Sequence, residues 1–112
     1  LAPLSEDDTL ASRYLGSLAR ELGSKGIRLL YLRGPISRSV AQRMVKTGYA
    51  DDLRAELDGL ARRVPTFSHD LGLVYADAMF SDGIHVRSDK LERVVQDYRR
   101  LLDKLLTAPT HP

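Results

Sequence analysis

Six residues, Ile27-Arg28-Leu29-Leu30-Tyr31-Leu32, form a short, nearly continuous apolar run directly after Gly26. Such a run reads as a strand covered on both faces, the habit of parallel sheets. A helical pattern follows from about Ala50 to Val64, with Leu53, Leu57, Leu60, Ala61 and Val64 on one face and Pro65 as its stop. Thr66-Phe67-Ser68 is then a brief β-like segment. Strand, crossover helix and strand in that order imply a right-handed parallel unit. The expected fold class is α/β: a partial three-layer parallel sheet with flanking helices. Ligands of such sheets bind beyond the carboxyl ends of the strands.

Other elements follow from caps and periodicity. Ser5-Glu6-Asp7-Asp8 reads as a helix start, with Leu10, Tyr14, Leu15, Leu18 and Leu22 on one buried face and Gly23 and Gly26 at the end. Ser37 or Ser39 is placed to cap a short helix through Met44 and Val45, interrupted by Gly48. Asp51-Asp52 reads as the cap of the helix beginning there. Arg33-Gly34-Pro35 is a loop, and Leu71 to Met79 reads as loop with a helical turn. Ser88 is expected to cap a last helix whose apolar stripe is Leu91, Val94, Val95, Tyr98, Leu101, Leu102 and Leu105. Residues 1–112 are expected to form one domain, with 107–112 a flexible tail.

Composition narrows the chemistry. The chain has no cysteine, which excludes disulfides and thiolate nucleophiles. Its net charge is +2, and no basic stripe is interleaved with aromatics, so no nucleic-acid partner is expected. No apolar run reaches the ~18 residues of a membrane span. Leu1-Ala2-Pro3-Leu4 leads directly into acidic residues rather than a signal-peptide pattern, and the missing initiator Met hints at a longer parent.

Chemistry concentrates in Phe80-Ser81-Asp82-Gly83-Ile84-His85. A carboxylate facing one nitrogen of an imidazole fixes its tautomer and leaves the other nitrogen as a base. Asp82 and His85 stand close enough for this if Gly83 lets the chain bend sharply. The plainer alternative is that Asp82 caps a turn and His85 is a partly exposed loop residue. Elsewhere, His69-Asp70 also joins an imidazole to an acid, but adjacent residues of an extended segment point to opposite faces, so the pair reads as a loop after a strand. His111 falls in the tail. Tyr14, Tyr98 and Met79 read as packing. His69, His85, Asp70 and Asp82 lack a compact ligand motif, so no metal is expected, and no phosphate-binding glycine loop is present.

The segment Phe80 to Val86, followed after Arg87-Ser88 by a helix carrying Leu91 and Val94-Val95, resembles the last block of the SGNH/GDSL hydrolase superfamily, where Asp-x-x-His precedes the C-terminal helix. Arg28 to Leu32 with Arg33-Gly34-Pro35-Ile36 is similar to the later part of that flavodoxin-like fold. The nearest branch is the envelope-associated one, with DltD-like and alginate-acetylation-like proteins. The resemblance spans roughly residues 27–106. It implies His85 as general base and Asp82 as its orienting acid, an acyl-ester substrate on an envelope polysaccharide or polymer, and no cofactor. The family's Gly-Asp-Ser block and its oxyanion-hole Asn have no counterpart, since the chain contains no asparagine. Ser37, Ser39 and Ser81 are hydroxyls outside the nucleophile context. The isolated chain is therefore expected to be inactive, because triad members act as a unit. A bare edge on strand 27–32 further implies a second protein chain or a homodimer, and the rival class is a non-catalytic interaction module.

Overall fold

A computed structural model describes the backbone of residues 6–107 and the side chains of 13–107. Ser5, the tail beyond Thr107 and His111 lie outside the described residues. The elements are α1 (Glu6–Ser24), β1 (Leu29–Leu32), β2 (Ile36–Ser37), α2 (Arg38–Lys46), α3 (Tyr49–Arg63), β3 (Phe67–Asp70), β4 (Val74–Tyr75) and α4 (Leu91–Thr107), with 3-10 turns at Asp77–Met79 and Ser88–Lys90. The chain is mixed α/β. Over the described residues its backbone divides into two compact units: residues 6–32 with 44–70, and residues 33–43 with 71–107.

In the first unit β1 and β3 pair in parallel, Leu29 opposite Phe67 through Leu32 opposite Asp70, with α3 in the crossover. Leu57, Leu60, Val64 and Phe67 are buried here, as is Ala19 of α1. Three expectations are corrected. The strand starts at Leu29, and all four of its residues are only half-buried, because a two-stranded sheet flanks each strand on one edge alone. Helix α1 does not bury Tyr14 or Leu18, which are 76% and 47% exposed. It turns its small residues inward instead: Ala19 is fully buried, Gly16 is buried beside Leu60, and Gly23 lies so close to Thr66 that a side chain there would force the threonine to move. The cap of α3 is Gly48, with Asp51 and Asp52 inside the first turn, where their charge suits the helix dipole.

In the second unit β2 pairs in parallel with β4, Ile36 opposite Val74 and Ser37 opposite Tyr75. Neither strand is legible in the sequence. Two residues carry no alternation, and Leu71 to Met79 yields its helical turn only at Asp77–Met79. Ser37 caps α2: its Oγ accepts the Val40 N–H at 3.2 Å, and the residue is 2% exposed. Tyr75, Met79, Phe80 and Val94 form the core, with Leu73, Val86 and Tyr98 packed against it. Ser88 does not cap α4; it opens the 3-10 turn that precedes the helix. Of the apolar stripe on α4 only Val94 is buried, while Leu91 and Val95 are 51% and 45% exposed.

Candidate functional site

The loop that carries Asp82 and His85 is clamped at its root. Met79 and Phe80 are buried in the second core, and Phe80 bridges antiparallel to Val86. The Ser81 N–H donates to the His85 carbonyl at 2.8 Å, and the Arg87 N–H to the Met79 carbonyl at 2.8 Å. Between these bonds the chain reverses at Gly83, whose φ of 89° lies in the left-handed region that side chains disfavour. Apolar anchors therefore fix both ends, while the polar tip stands in solvent.

Within the tip, the two alternatives read from the sequence coexist. Asp82 Oδ1 accepts the backbone N–H of His85 at 2.8 Å and of Ile84 at 3.2 Å, which makes it a turn cap. Its Oδ2 lies 2.7 Å from His85 Nδ1. The ring hydrogen bond above all, then the two backbone donors, pull the Asp82 carboxyl down to about 2. A carboxylate ionised across the neutral range only accepts, so Nδ1 must carry the hydrogen. That leaves Nε2 with the lone pair on the neutral ring. The His85 side chain is 71% exposed.

The three candidate hydroxyls are all engaged. Ser37 caps α2. Ser39 donates both its N–H and its Oγ–H to the Asp77 carboxylate, the first at 3.0 Å, which holds that carboxyl below its usual range. Ser81 Oγ donates to the His85 carbonyl at 3.2 Å.

A second imidazole–carboxylate pair escaped the sequence. His69 is not in a loop but within β3, on the same face as Phe67, and their rings stack at 6.1 Å. It pairs not with Asp70 but with Asp58 of α3, Nε2 to Oδ1 at 2.9 Å. The partners are eleven residues apart and meet only because α3 packs on β3, so no local spacing signals them. The other nitrogen, Nδ1, is buried and has no hydrogen-bond partner among the described residues. The two dyads thus differ in the property that matters for chemistry: His85 presents its spare nitrogen to solvent, and His69 buries its own.

Among the described residues no group of three or more His, Asp or Glu side chains is placed to hold a metal, and no helix is long and apolar enough to cross a membrane. No protein-family model matches this chain, and no curated protein or solved structure does either.

Proposed function

We propose that this chain supplies the base half of an SGNH-type serine esterase or O-acyltransferase, within a larger parallel sheet of flavodoxin type. The observation that carries this reading is the 2.7 Å contact between Asp82 Oδ2 and His85 Nδ1 on an accessible loop. It leaves Nε2 free to accept a proton. In the reaction Nε2 takes the proton of a serine hydroxyl, and the serine oxygen attacks the acyl carbonyl carbon. The imidazolium, steadied by Asp82, then returns the proton to the departing alcohol oxygen as its bond to the acyl carbon breaks. Water or an acceptor hydroxyl repeats the cycle in reverse on the acyl-serine. Ser37, Ser39 and Ser81 are engaged with other groups and the chain has no Gly-Asp-Ser block, so on this reading the serine and its oxyanion donors come from another segment or chain. The substrate class is an acyl ester, with envelope polymers favoured by the sequence resemblance.

The test is to express the complete parent polypeptide and measure hydrolysis of an acetyl ester together with labelling by a serine-reactive fluorophosphonate. Both are expected, and both are lost in His85→Ala; Asp82→Asn is expected to lower turnover by about 10⁴-fold, the cost of a wrong tautomer. Activity that survives His85→Ala refutes the assignment. A second reading is favoured by one observation, that among the described residues β1 pairs only with β3: a non-catalytic module whose open strand edge adds a partner's strand. Light scattering that gives a monomer at micromolar concentration counts against a second copy of this chain as that partner.

A further inference from the structure

In the first unit, residues of α1 and α3 line a groove of about 370 Å³. Its lining includes Arg13, Arg20 and Arg63 against a single carboxylate, Glu56. Two buried glycines, Gly16 and Gly59, form part of the same wall. Each lies one helical turn before an arginine of the groove. A Cβ on Gly16 would meet the Arg20 guanidinium at 3.5 Å, and one on Gly59 would meet that of Arg63 at 3.3 Å. The guanidiniums thus lie folded over bare backbone. Glycine inside a helix is unfavourable relative to alanine, and here two of them give arginine head groups a seat.

What marks this groove is that three arginines share one lining. Arg87 and Arg100 each have a carboxylate oxygen within 3.1 Å. No ion pair among the described residues engages Arg13, Arg20 or Arg63. Three like charges share one pocket without a protein counter-ion for each, an arrangement that an anion stabilises.

We infer that this groove binds a small phosphate monoester. A guanidinium offers a planar fork of donors that matches phosphate or carboxylate oxygens. Three forks match the three terminal oxygens of a phosphate monoester dianion, whereas one fork already satisfies a monocarboxylate. The cluster is confined to one groove rather than drawn out as a stripe, which fits a small ligand and not a polyphosphate backbone. The volume stands near the low end of ordinary ligand sites, enough for a phosphate and a short carbon skeleton. The negative charge of Glu56 in the same lining disfavours a second anionic group, so a monophosphate fits better than a bisphosphate.

The experiment is calorimetric titration of the intact chain in phosphate-free, low-salt buffer with glycerol 3-phosphate, inorganic phosphate and acetate. Arginine side-chain N–H signals are followed by NMR in parallel. Glycerol 3-phosphate is expected to bind saturably and at least about tenfold more tightly than acetate, shifting the Arg13, Arg20 and Arg63 signals. The Arg20→Gln/Arg63→Gln pair, both exposed and replaced by a shorter neutral side chain that suits a helix, is expected to weaken binding by about tenfold or more with unchanged circular dichroism. Glu56→Gln is expected to tighten binding of inorganic phosphate, and it reads the same charge balance if the double variant fails to fold. Equal affinity for acetate and phosphate, an unchanged affinity in the double variant, or no gain in Glu56→Gln each overturns the inference.

Discussion

Tyr98→Phe is the sharpest test of how the second unit holds together. The Tyr98 hydroxyl accepts the Leu73 N–H at 2.9 Å and donates to the Arg33 carbonyl at 3.1 Å. One oxygen of α4 thereby ties the chain before β2 to the chain before β4. Phenylalanine keeps the ring and its packing against the Tyr75–Met79–Phe80–Val94 core while removing the hydroxyl that makes both bonds. A buried polar group left without a partner costs about 1–3 kcal/mol. Water reaches this half-buried position, so the low end applies to both groups, about 2 kcal/mol together. In a chain of this size that corresponds to a fall of about 10 °C in Tm. Urea unfolding followed by circular dichroism is expected to show a lower midpoint with an unchanged slope, and amide exchange is expected to speed up at Leu73. A companion change acts at the same place. Gly72 has φ of 73°, and a Cβ there would run into the Arg33 carbonyl and the Tyr98 hydroxyl, so Gly72→Ala should destabilise more than Tyr98→Phe. A Tyr98→Phe midpoint equal to wild type, with Leu73 equally protected, refutes the bridging role.

Three further outcomes are expected. In Asp82→Asn the amide oxygen can still accept from Ile84 and His85, but its NH₂ faces the ring, so His85 should switch to the Nε2–H tautomer; nitrogen NMR that still shows Nδ1–H counts against the dyad. The Asp82 carboxyl drops from 3.8 to about 2 on folding, so its contribution is present above pH ~4 and lost as pH falls toward 2, an acid limb that Asp82→Asn should flatten in melting curves. Tyr75 is the opposite case: burial first, then its bond to Asp97 at 2.8 Å, raises the phenol from 10.0 to about 12, so its contribution persists below pH ~10 and is lost between 10 and 12, and Tyr75→Phe should remove that alkaline dependence.

Much of the candidate site was legible because it is local. Asp82, Gly83 and His85 lie within four residues, and a turn that needs a left-handed glycine is written into the sequence itself. The Ser37 cap was legible for the same reason, one hydroxyl three residues from the N–H that it receives. The role of His69 is not legible because its partner, Asp58, is on another element, whereas the adjacent Asp70 is not that partner. The exposure of Tyr14 and Leu18 is not legible because helical periodicity weighs hydrophobicity, while close packing of α1 rewards the residues with least bulk, Gly16, Ala19 and Gly23.

Residue order alone settled the α/β class, the crossover between the strands around Leu29–Leu32 and Phe67, and the bend that brings an acid to an imidazole. Each depends on neighbours along the chain, where propensity and period act. Tertiary structure decided the pairing of β2 with β4, the meeting of His69 with Asp58, and the gathering of Arg13, Arg20 and Arg63 in one groove. Those depend on residues far apart in sequence, brought together only when apolar faces are buried and small residues let backbones approach.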